Sequence, residues 1–130
     1  MRTEDVYFDE TNQVTIANFK GLLTLEEFQS VANRVQELRR QKSPNIQIAI
    51  LEDLDVLSIE ILDWINTVWF PKAIEYGLKY FAFVVPRSQP ATMSVKFANK
   101  EAERNSPIHI EYFRTLEGAF KWINQYGTSL

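Results

Sequence analysis

The segment GLKYFAFVVPRS, Gly77 to Ser88, constrains this chain more than any other. From Lys79 to Val85 the residues are almost all aromatic or β-branched, and the run is bounded by Gly77 and Pro86. That pattern reads as a buried central strand with a helix on either side. A strand apolar on both faces needs cover above and below, which points to an α/β architecture in which the rest of the chain is placed around it.

A length of 130 residues suits one domain, 1–130, that buries about two-thirds of its extended surface. Apolar residues at 45% and charged residues at 24% fit an ordinary globular protein and exclude a disordered or membrane composition. Apolar runs fall short of the roughly 20 residues that span a bilayer, and MRTEDVYFDE lacks a signal-peptide core, so the expectation is a cytoplasmic protein with no membrane span. With no cysteine, disulfides, thiolate metal sites and a cysteine nucleophile are excluded. A net charge of −3 argues against nucleic acid as a partner. The cations Arg39, Arg40 and Lys42 cluster where a helix ends, and are expected to oppose the negative end of its dipole.

Val6 to Phe8 and Gln13 to Phe19 read as a hairpin turned by Asp9 to Asn12, and Gly21 ends the second strand. Thr24 and Glu27 form a capping box for the first helix, whose apolar stripe is Leu25, Phe28, Ala32, Val35 and Leu38. Pro44 stops it, and Ile46 to Leu51 make the third strand. Ser58 caps a second helix, 59–76, which Pro71 should break or kink near Phe70 and Gly77 should terminate. After the central strand, Ser88 caps a helix with Met93, Phe97, Ala98 and Ala102 on its apolar stripe. Ile108 to Phe113 is a final strand. Thr115 caps a last helix, in which Trp122 is expected to meet Tyr126 and which Gly127 closes. If neighbouring strands are sequential, the helices gather on one face, and the other needs a long connection, a helix that swings round, or a second copy.

GLLTLEEF after the second strand, GLKYFAFVV and EYFRTLEGAFKWI resemble the stage II sporulation protein AA-like family of bacterial domains, which belongs with the STAS domains and whose fold is also similar to CRAL-TRIO lipid-transfer domains. The likeness spans nearly the whole chain in element order, and rests on Gly21, Thr24, Tyr112, Phe113, Leu116, Ala119 and Trp122. It implies a STAS-like five-stranded, mostly parallel sheet with an N-terminal hairpin and about four helices. It also implies action by protein–protein binding, with a phosphorylatable serine after the third strand. Only Ser58 stands in that region, in EDLDVLSIEIL, without the Ser-Ser-Gly that the family carries and beside Glu52, Asp53 and Asp55, which would repel a phosphate, so the residues favour a plain helix cap.

Catalytic and metal sites find no support. Glu52, Asp53 and Asp55 lack calcium-loop spacing, and His109 has no nucleophile turn or Gly-rich phosphate loop to serve. The expectation is a non-enzymatic domain without cofactor. Its sharpest clue is the apolar excess of helix 59–76, where Trp64, Val68, Trp69, Phe70 and Tyr76 exceed what one sheet contact requires. Three readings stay open: a helix sandwiched in the core, a surface for a protein partner or homodimer, and an apolar pocket under the kink for a lipid-like small molecule.

Overall fold

The structure, a computed structural model, describes residues 5–127, with side chains described through residue 125. Strands β1 (Val6–Asp9), β2 (Val14–Asn18), β3 (Ile46–Ile50), β4 (Tyr80–Val84) and β5 (His109–Phe113) form one sheet in the order β1-β2-β3-β4-β5. Only β1 and β2 are antiparallel; every later pair is parallel. The helices are α1 (Leu25–Gln41), α2 (Ile59–Trp64), α3 (Phe70–Glu75), α4 (Gln89–Asn105) and α5 (Leu116–Gly127). A π-helical turn, Ile65–Trp69, joins α2 to α3 without a break, so four helical columns cover the sheet. The fold is thus α/β, a mostly parallel five-stranded sheet opened by a hairpin. The GLKYFAFVVPRS strand, β4, is interior but one place off centre; β3 is the middle strand.

The helix ends follow local chemistry. Thr24 Oγ1 accepts from Glu27 N at 3.1 Å while Glu27 Oε1 accepts from Thr24 N at 2.9 Å, the reciprocal box that satisfies two orphan donors. Ser58 and Ser88 cap α2 and α4 with one bond each, their Oγ atoms accepting from Ile61 N and Ala91 N. Gly77, at φ +99°, takes the left-handed position past α3, and Leu78 N reaches back to the Ala73 carbonyl at 2.9 Å.

Pro71 does not break the helix. The departure lies one turn earlier, where Phe70 N donates to Ile65 O, five residues back. Widening that turn draws away the carbonyl a proline ring would otherwise crowd. Nearby carbonyls find side chains instead: Asn66 Nδ2 donates to Leu62 O at 3.0 Å and Thr67 Oγ1 to Asp63 O at 2.8 Å.

Alternation along the strands builds two cores. Ala17, Phe19, Ala49, Leu51, Phe81 and Phe83 face α1, the α2–α3 column and α4. Val14, Ile16, Ile48, Ile50, Ala82 and Val84 face the other way and are covered by α5 through Ala119 and Ile123. The second face is therefore closed by the last helix swinging round. Its start is tight: a Cβ on Gly118 would lie 3.3 Å from Phe113 Cδ1. Trp122 packs on Tyr80 and Phe113, with ring centroids 6.1 and 5.8 Å away. The Tyr126 side chain expected beside it lies outside the described residues.

Two expected stripes need correction. In α4 the buried positions are Ala91, Val95, Ala98, Asn99 and Ala102, while Met93 and Phe97 are 65% and 67% exposed. Ala91, Val95, Ala98 and Ala102 recur at steps of four, three and four, which keeps one line on the helix; Met93 and Phe97 fall on its far side. In α1 the stripe continues to Arg39, fully buried, rather than ending in a solvated basic cluster.

Candidate functional site

Between the sheet and the three columns on the first face lies a cavity of about 50 Å³. Its floor comes from Gln47, Ala49, Phe81 and Phe83, one wall from Phe28 and Ala32 of α1, and the opposite wall from Val95, Ala98 and Asn99 of α4. The roof is the irregular helix: Ile65, Trp69 and Phe70 all line it. The void exists because α1 and α4 present small residues, Ala32 and Ala98, where large ones would fill the layer.

The aromatic side chains hold the walls in place. Phe81 and Phe83 stack with centroids 4.1 Å apart, Trp69 meets Phe70 edge-on at 5.3 Å, and Phe19 stacks on Phe28 at 4.8 Å. Trp69, 5% exposed, also donates Nε1–H to the Ala32 carbonyl at 3.2 Å, pinning the π-turn to α1. Of the residues singled out in helix 59–76, Trp69 and Phe70 are thus buried in the cavity roof. Trp64 is half-buried with its ring edge-on to Phe28 at 6.2 Å, and Val68 is exposed. Tyr76 is half-buried under the Arg40 guanidinium, 4.0 Å from its ring centroid, away from the cavity lining.

Polar groups gather beside this apolar space. Arg39 is fully buried and donates Nε–H to the Pro44 carbonyl at 3.3 Å, Nη1–H to Gln36 Oε1 at 3.2 Å and Gln47 Oε1 at 3.4 Å, and Nη2–H to Gln36 Oε1. Its guanidinium also lies 5.9 Å from the Trp69 ring centroid. Every one of these partners is neutral, and burial lowers the Arg39 pKa to about 10. On the α4 side, Asn99 Nδ2 donates to Tyr112 Oη at 3.3 Å, and Tyr112 Oη–H donates to Glu103 Oε1 at 3.0 Å. Burial, opposed by the Asn99 bond and reinforced by Glu103, raises the Tyr112 pKa above the usual phenol value.

Sequence reading missed Arg39 and Gln47. The signal for Arg39 was its spacing, four beyond Val35 and seven beyond Ala32 on the buried stripe. Gln47 carried no such signal, since an isolated polar residue at a strand start reads as exposed.

The remaining candidates stand apart from the cavity. Ser58 is exposed at the N-cap of α2. In the acidic turn, Asp53 pairs with Arg87 and Asp55 Oδ1 accepts from Val56 N at 2.7 Å. Among the described residues no group of three or more His, Asp or Glu is placed to hold a metal ion. His109 is exposed on β5, its ring stacked on Tyr80 at 5.2 Å. No helix among the described residues is long and apolar enough to cross a membrane. The structure defines the chain as an α/β sheet domain with an aromatic-walled cavity; comparison with protein-family models and with curated proteins finds no match.

Proposed function

We propose that this protein is a non-enzymatic binding domain that holds a small apolar molecule in the cavity beneath the helical column 59–76. One observation carries the reading: an aromatic-walled void lies directly under a π-turn. Protein interiors rarely leave space larger than a water, and π-turns recur at functional sites. At about 50 Å³ the space admits roughly four water-sized spheres, hence a ligand of about four to six non-hydrogen atoms. That is a short chain or small ring rather than a whole lipid. The likeness in element order to STAS and CRAL-TRIO domains is consistent with binding rather than catalysis.

Xenon tests the reading, since it enters dry apolar cavities of suitable size. Under xenon pressure the methyl resonances of Ala32, Ala49 and Ala98 are expected to shift while those on the α5 face stay put. Unmoved methyls over the whole pressure range, together with no small molecule retained in native mass spectra of gently purified protein, would sink the proposal.

A second reading, regulation through a protein partner or a second copy, is favoured by Met93 and Phe97. They stand exposed one turn apart on α4.

A further inference from the structure

Two polar residues line the apolar cavity: Asn99 on the α4 wall, whose Nδ2 is bonded to Tyr112, and Gln47 in the floor. Gln47, 1% exposed, lines the cavity, and its Nε2 has no hydrogen-bond partner. The orientation of that amide follows from Arg39, which carries only donors, so the oxygen must face the guanidinium and the NH₂ must face away. Directly across the β2–β3 pairing stands Thr15, fully buried on the same sheet face, whose Oγ1 is also without a partner. Neighbouring strands lie about 4.8 Å apart, so one acceptor group can reach both.

Behind Gln47 lies an unneutralised charge. Arg39 has five N–H groups; one from Nε, two from Nη1 and one from Nη2 are engaged, all by neutral acceptors. Among the described residues it makes no ion pair. A buried cation without a counter-charge is costly, and in a low-dielectric setting it attracts an anion far more strongly than in water. Gln47 in the cavity floor, Thr15 beside it across the strand pairing but behind the lining, and Arg39 one amide away thus place two unpartnered buried groups and a buried cation next to one another at the edge of an apolar void.

We infer that the cavity takes a small amphipathic monocarboxylic acid, its carboxylate at Gln47 Nε2 and Thr15 Oγ1 within the field of Arg39 and its short alkyl part between Phe81 and Trp69. This rests on the apolar-cavity reading and adds the head group to it. A charge-assisted bond is about twice as strong as a neutral one, so the acid should bind at least about tenfold tighter than its neutral isostere.

Butyrate and butyramide, equal in shape and different in charge, make the test. At pH 7 butyrate is expected to shift the Gln47 side-chain amide and the Ala49 methyl with a Kd at least about tenfold lower than that of butyramide. In Gln47→Glu the new carboxylate pairs with Arg39 and repels a second anion. Butyrate affinity is then expected to fall at least about tenfold while xenon still enters. Equal affinity for the two probes in the wild type, with xenon entering, overturns the acid inference and leaves the cavity reading standing. So does a structure in excess butyrate with only an ordered water between Thr15 and Gln47. Exclusion of xenon, with no small molecule retained in native mass spectra, overturns the cavity reading itself. The wild-type comparison decides the matter even if Gln47→Glu does not fold.

Discussion

Trp69→Ala removes the side chain that links the π-turn to α1, to β4 and to the cavity. A buried tryptophan hides about 150–250 Å², and at roughly 25 cal/mol per Å² its transfer from water contributes about 4–6 kcal/mol, of which the alanine methyl retains a little. The lost Nε1–H bond to Ala32 adds little, since that carbonyl lies inside α1 with its own helical donor. The expected net loss is about 3–5 kcal/mol, in line with tryptophan-to-alanine changes in other cores. For a chain of this size that corresponds to a fall in Tm of about 10–20 °C. Urea unfolding is the assay: the midpoint should drop with the slope unchanged, because the surface exposed on unfolding is nearly the same. The variant also carries a larger apolar void, so indole at about 100 times its Kd should restore about 2.7 kcal/mol. A loss below about 1 kcal/mol, or a midpoint indifferent to indole, would show that Trp69 is not the packing element its 5% exposure implies.

Two further outcomes follow from the α4 side. Tyr112 has its pKa raised in the folded state, so its contribution to stability is fully present below the ordinary phenol pKa near 10 and is lost as pH rises through the higher folded value. In Tyr112→Phe the latest component of the alkaline absorbance rise should vanish, and stability should decline less than in the wild type above that pH; an unchanged titration curve would refute the assignment. If Met93 and Phe97 form a self-association surface, light scattering should find a dimer that Phe97→Glu dissociates, with the unfolding free energy of the monomer changed by no more than about 0.5 kcal/mol. A wild-type monomer at all concentrations rules that surface out for a second copy.

Local features of this chain were legible because their partners sit within a few residues. The Thr24–Glu27 box, the Ser58 and Ser88 caps and the left-handed Gly77 each depend on a span of about one turn. The alternation of Thr15, Ala17 and Phe19 against Val14 and Ile16 likewise declared a sheet covered on both sides. Helix 59–76 was legible only in part. Its apolar excess was visible, but Trp69 is buried because of Ala32, 37 residues away, and Pro71 is accommodated by a π-turn that no local pattern announces.

By itself the sequence determined the elements, their order, the capped ends and the presence of two apolar sheet faces, since periodicity and capping are short-range physics. Tertiary structure alone decided which layer covers which face: α5 closes the second, Met93 and Phe97 point outward, and Arg39 and Gln47 turn inward. A helical period gives the angle between side chains on one helix, but not which angle meets the sheet. The candidate site arises at that level, where the small residues Ala32 and Ala98 on separate helices leave a space beneath Trp69, with Gln47 at its edge and Arg39 behind it.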